Sequence, residues 1–234
     1  MTTIHYSRVV HLSHVIDPRI PLWPGDPPPS LETVATIDRD GYALRRLSIG
    51  EHSATHANAP RGFDPAGAGI DDYSAESLVA PAIVVDIRAR AAADPNYALS
   101  ADDVLAWEAE HGLIPPASIV VLHTGWQTRW SDPQAFLGFD EAGGLHFPGF
   151  GAAVARFLLD ERRIKGIGTD THGVDPGQDT AYAANRQVLQ QGGLVLENLA
   201  NLDQLPPTGA TLVVGILRLR GGTGSPAAVL GLIP

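Results

Sequence analysis

The segment GEHSATHANAPRGF, Gly50 to Phe63, carries the densest set of groups able to do chemistry. It holds two histidines four residues apart, with an amide side chain, Asn58, two residues further on. Imidazoles ligate divalent metals and titrate near neutral pH, so such a pair serves either metal chemistry or proton transfer. Spacing sets a geometric condition on both. On a straight strand His52 and His56 would stand about 13 Å apart, too far to share an ion. On a helical turn or tight loop they come to about 6 Å, which one ion can bridge. Ser53, Ala54, Ala57 and Ala59 are small enough to let backbone pass close to a site, and Pro60 stops any helix, so a tight turn is expected. An HxxxH pair seen alone is more often two ordinary hydrogen-bonded or exposed histidines.

His172, in TDTHGVD, is the candidate acid/base group, because it falls in a polar, Gly-flanked loop after a predicted strand. The competing reading has it hydrogen-bonded within the turn beside Asp170 and Asp175. Trp23, Phe63 and Trp126 either line an apolar pocket or pack in the core. GGTGSP, from Gly221, is glycine-rich, but it lacks a GK[ST] ending and a following helix, which excludes a phosphate loop. There is no GxSxG elbow for a serine hydrolase. The chain has no cysteine, which removes disulfides, thiolate catalysis and Cys-ligated zinc, so any metal must be held by His, carboxylate or amide groups.

Positioning these groups requires a scaffold, and its elements are legible. AIVVDIRA from Ala82, SIVVLHTGW from Ser118 and TLVVGILRL from Thr211 are near-continuous apolar runs rich in β-branched residues, as expected of strands covered on both faces. Ser100 with Asp103 forms a capping box for a helix through Trp107 and Glu110 that stops before Gly112. After Pro148, the residues Phe150, Val154, Phe157 and Leu158 follow the spacing of one helical face. A third helix is expected from about Asp179 to Gln191, ended by Gly192 and Gly193. Strands alternating with helices give an α/β class with an at least partly parallel sheet. No repeat, low-complexity tract or long linker divides residues 1–234, so one domain is expected.

With 44% hydrophobic and 18% charged residues, the 234-residue chain has the composition of a folded globular domain. Its formal net charge of −10, with only 16 scattered Lys and Arg, disfavours nucleic acid and anionic membrane as partners. RRIK, Arg162 to Lys165, is the densest basic run and suits the end of a helix. No stretch approaches the apolar length of a membrane span and the N-terminus lacks a signal-peptide pattern, so a cytoplasmic location is expected.

Six landmarks in order resemble the cyclase family of metal-dependent hydrolases, the kynurenine formamidase and isatin hydrolase type. HLSHVIDPRIPLWPGDPP is similar to that family's opening segment, HSATHANAPRGF to its HxGTHxDxPxH motif, and IVVLHTGW to its central strand and turn. LHFPGF, GIGTDTHGVD and LVLENLANLDQLP follow in the family's order. The resemblance implies a mixed, partly barrel-like β-sheet with outer helices, and a homodimer or homotetramer. It assigns His52, His56 and Glu197 as metal ligands. It also shows departures. Asn58 stands for an aspartate that can touch two metals, Gly62 for the acid/base histidine, and Asn185, twelve residues before Glu197, for a histidine of the second metal position.

What remains is a three-ligand site with Asn58 as neutral oxygen donor, admitting one divalent ion, zinc or manganese, more weakly than the full motif, or none. The function expected is hydrolysis of a C–N bond in a small amide, or of a lactone, by a metal-activated water. In this scheme His52, His56 and Glu197 hold the ion, Asn58 supports it or orients substrate, and His172 moves the proton that Gly62 cannot. The alternatives are a metal-independent cyclase or lyase using histidine acid/base chemistry, and a non-catalytic small-molecule binder.

Overall fold

The computed structural model describes residues 3–234. In chain order the elements are β1 (Arg8–His11), β2 (Ser30–Ala35), α1 (Ile37–Asp40), β3 (Leu44–Ser48), β4 (His56–Asn58), β5 (Val79–Asp86), α2 (Arg88–Ala93), β6 (Ala98–Leu99) and α3 (Ala101–His111). There follow β7 (Ile119–His123), α4 (Pro133–Leu137), β8 (Gly149–Phe150), α5 (Ala152–Arg162), β9 (Gly166–Thr169), α6 (Ala183–Gln190), β10 (Leu194–Glu197), β11 (Thr211–Ile216) and β12 (Gly224–Ile233).

Seven strands close into a barrel in the order β12, β11, β5, β7, β9, β10, β4, with β4 returning to β12, and β1 adds to the outer edge of β12. Neighbours from β5 through β10 run parallel, and the remaining pairs are antiparallel. The apolar runs are continuous because both faces of these strands are covered. Ala82, Val84, Ile119 and Val121 fill the barrel interior. Ile83, Val85, Val120 and Leu122 point outward against Val104 of α3, Val154 and Leu158 of α5 and Val188 of α6. Leu158 is fully buried there, so Leu158→Ala would cost about 2–5 kcal/mol.

The Ser100 capping box forms as expected, with Ser100 Oγ accepting from Asp103 N–H and Asp103 Oδ2 accepting from Ser100 N–H, and the helix ends before Gly112. Two helix boundaries differ from the sequence expectation. Phe150 belongs to β8, so α5 begins only at Ala152. Tyr182 adopts a left-handed conformation that interrupts any helix from Asp179, so α6 starts at Ala183. The N–H groups of its first turn are taken instead by carboxylates: Asp175 accepts from Ala184 and Asn185, and Asp179 from Ala183. These charges suit the positive end of the helix.

Among the described residues the β2–β3 hairpin pairs only with itself, and Leu31, Val34, Leu44 and Leu47 on it are exposed. Among the described residues, no helix is long and apolar enough to cross a membrane.

Candidate active site

His52 lies in the turn before β4, His56 opens that strand, and Asn58 closes it. The turn brings the two imidazole centroids to 5.3 Å at nearly right angles, the proximity that the sequence spacing required. On β4, Ala57 faces the barrel interior, so His56 and Asn58 face out, toward α6. Glu197, at the C-terminal end of β10, is the register partner of His56 and faces the same way. Asn185 reaches the same carboxylate from the first turn of α6. The site therefore sits between the barrel wall and its helical cover, beside the C-terminal ends of β9 and β10, where open α/β sheets commonly place ligands.

His56 is fixed at both nitrogens. Its Nδ1–H donates to the carbonyl of Ala54 at 2.9 Å, and its Nε2 stands 3.0 Å from Glu197 Oε2. Ala54 has φ +54, a conformation disfavoured for a residue with Cβ, and this turns its carbonyl to receive both His56 and Asn198 Nδ2. Because Nδ1 carries the proton, Nε2 of a neutral imidazole meets the carboxylate with a lone pair. Two acceptors at this distance require either a second proton on the ring or a cation between them.

Burial alone would raise the pKa of Glu197, but the hydrogen bond and charge of His56, with donors from Asn58 and the Val174 N–H, hold it below the usual carboxylate range. Burial, followed by the nearby charge of His56, lowers the pKa of His52. His52 Nδ1 lies 2.9 Å from Asn58 Oδ1, and the buried Oδ1 of Asn185 has no hydrogen-bond partner among the described residues. Nitrogen and oxygen groups able to ligate a cation, one of them the unsatisfied oxygen of Asn185, thus gather around the His56–Glu197 contact. Among the described residues no three His, Asp or Glu side chains converge as a metal cage, so an ion fits only with the amide oxygen of Asn58 as a further donor.

His172 follows β9 and is brought into the same cavity. Its surroundings are not the polar loop expected from sequence. Trp23 meets the ring edge-on at 5.4 Å and Phe136 lies at 5.9 Å. Neither ring nitrogen has a hydrogen-bond partner among the described residues, so it is not satisfied within its turn. Burial lowers its pKa to about 4, leaving it a neutral imidazole at physiological pH.

The cavity encloses about 280 Å³. Trp23, Phe63, Phe147 and Tyr182 form its apolar wall, while Trp126 lies in the core, with Nε1–H donating to the carbonyl of Phe136. Asp26, Asp175, Asp179 and Glu197 line it, and no Lys or Arg does among the described residues. Sequence reasoning missed Asp175 as a site residue. Burial raises its pKa to about 7 despite its two backbone N–H donors. Tyr182, Phe147, Thr223 and Asp26 were missed as well, since no motif marks them and only the fold collects them.

Comparison with known proteins places these features in context. Residues 10–176 match the profile of the Cyclase family. The isatin hydrolase of Roseibium aggregatum is 36% identical over 244 aligned positions, covering 97% of this chain and 92% of the relative. The kynurenine formamidase of Bacillus cytotoxicus is 27% identical, with coverage of 96% and 97%. The solved structure of isatin hydrolase A from Ralstonia solanacearum superposes with a TM-score of 0.92 at 34% identity, covering 97% of this chain and 92% of that one.

Proposed function

The chain belongs to the Cyclase family, and we propose that it is a metal-dependent hydrolase that cleaves the C–N bond of a small, uncharged, ring-bearing amide, or the corresponding lactone. The observation that carries this reading is His56 Nε2 held 3.0 Å from the Glu197 carboxylate, a contact that an ion between them satisfies, with His52 Nδ1 and Asn58 Oδ1 beside it. His52, His56, Glu197 and the amide oxygen of Asn58 are the groups that would hold one zinc or manganese ion. When bound, the ion supplies a Lewis acid for the scissile carbonyl and a lowered pKa for an attacking water.

The remaining steps belong to side chains. The aromatic wall accepts a flat ring through stacking, with Trp23 5.4 Å from His172 and 6.3 Å from Tyr182. His172, neutral and unpartnered, takes a proton from the attacking water and returns it to the departing nitrogen, the task for which Gly62 has no side chain. The carboxylate released by ring opening is repelled by Asp26 and Asp179, which favours product exit.

The same charges disfavour substrates that carry a carboxylate, because no cationic side chain among the described residues lines the cavity. Turnover of isatin, a neutral cyclic amide, set against an N-formyl amino acid tests this. Faster opening of the neutral ring is expected, and preference for the anionic formamide overturns the substrate class. The lack of three converging His, Asp or Glu ligands among the described residues favours a second reading, metal-independent acid/base chemistry by His56, Glu197 and His172. Full activity after chelator treatment would select it.

A further inference from the structure

Asn198 follows Glu197 at the end of β10 and is fully buried. Three segments meet at it. Its N–H donates to the carbonyl of Thr171, the neighbour of His172, at 3.0 Å. Its carbonyl accepts from Thr55 Oγ1, which in turn accepts from the N–H of His14 at 2.9 Å. Its side-chain Nδ2 donates to the carbonyl of Ala54 at 2.8 Å. The orientation of this amide is fixed by its partner, because a carbonyl only accepts and must face the NH2 end.

The side-chain bond carries a cost on both sides. Ala54 and Asn198 both hold positive φ, +54 and +57. Asn tolerates the left-handed region, whereas the Cβ of Ala crowds the following carbonyl there. Burial also leaves Asn198 Oδ1 with no hydrogen-bond partner among the described residues, so the hydration it loses is not replaced. The function of the amide is therefore read from its other end, Nδ2. The Ala54 carbonyl that Nδ2 holds also accepts from His56 Nδ1–H at 2.9 Å, and this places His56 Nε2 3.0 Å from Glu197. A strained peptide persists where its surroundings restrain it. We infer that Asn198 is a positioning residue that holds the Ala54 carbonyl in its strained orientation and thereby sets His56 against Glu197. Asn198 does not line the cavity and acts through His56. Its effect on turnover rests on the proposed role of the His56–Glu197 contact.

Asn198→Gly isolates the side chain, since glycine takes positive φ freely and keeps the backbone bonds to Thr171 and Thr55. In its crystal structure Ala54 should leave the left-handed region, its carbonyl should turn from His56, and the contact with Glu197 should open. With isatin as substrate, kcat should fall about 10-fold to 100-fold while KM changes little, because the aromatic wall is untouched. Asn198→Asp keeps the size and the tolerance of positive φ but sets an acceptor against the carbonyl, and should behave alike. Ala54→Gly added to Asn198→Gly removes the strain that the amide opposes. This double variant should return the carbonyl to His56 and regain about 5-fold to 10-fold of the lost kcat, which general damage to the fold would not allow. An Ala54 peptide unmoved in Asn198→Gly, or a lost kcat that the double variant does not regain, overturns the inference. A carbonyl that turns and displaces His56 while kcat holds upholds the positioning role and removes the His56–Glu197 contact from the reaction.

Discussion

Acidification should destabilise the fold through His172. Its pKa in the folded chain is about 4, against an ordinary value of 6.5, because burial penalises the charged ring. Between those values the unfolded chain binds the proton and the folded chain does not. Stability therefore declines as pH falls from 6.5 to 4, and is untouched by this group above 6.5. One pKa unit corresponds to ~1.4 kcal/mol, so the depression removes about 3 kcal/mol by pH 4. His14, less deeply buried and also lowered to about 4 by burial, adds a smaller decline of the same sign. Asp175 acts oppositely, since its pKa is raised to about 7 and its neutral-pH penalty is relieved as it is protonated. Comparing the parent with His172→Leu cancels both of these. Urea unfolding of chelator-treated protein at pH 7, 6, 5 and 4 should show the free-energy difference moving by about 3 kcal/mol in favour of the variant toward pH 4. Parallel pH profiles would refute the assignment of a buried neutral ring.

Other outcomes follow from the same geometry. His172→Ala should lower kcat by roughly 100-fold to 10,000-fold with metal content unchanged, whereas His56→Ala should lose metal and activity together, as elemental analysis beside kinetics will show. Asn58→Asp with Asn185→His returns a charge and an imidazole to the Glu197 carboxylate, and calorimetry should find at least about 10-fold tighter zinc binding. If the exposed apolar hairpin joins copies of the chain into the expected homo-oligomer, Leu31→Glu with Leu47→Lys should sediment as a monomer while the parent does not.

The barrel was legible in outline because strands covered on both faces leave continuous apolar runs, and β5, β7 and β11 fall on the three marked in the sequence. Its closure was not, since β4 is three residues long and pairs with β10 and β12 by register alone. The separation of His52 from His56 was legible because chain geometry limits it. The Glu51–Thr223 hydrogen bond was not, because it joins residues 172 apart in the chain. The helix start at Ala183 was displaced by one strained residue, Tyr182, whose left-handed backbone no propensity would anticipate. His172 was placed in the right loop but in the wrong surroundings: local sequence shows Asp170 and Asp175 beside it, whereas Trp23 and Phe136 arrive from distant segments.

One ion at His52, His56, Asn58 and Glu197 should support opening of a neutral cyclic amide. Stripping the protein with chelator and titrating manganese back while following isatin ring opening tests it in one measurement. Negligible activity is expected in the stripped protein, with recovery that saturates at one equivalent per chain. Activity that survives stripping, or that rises to a sharp end point at two equivalents, would contradict it.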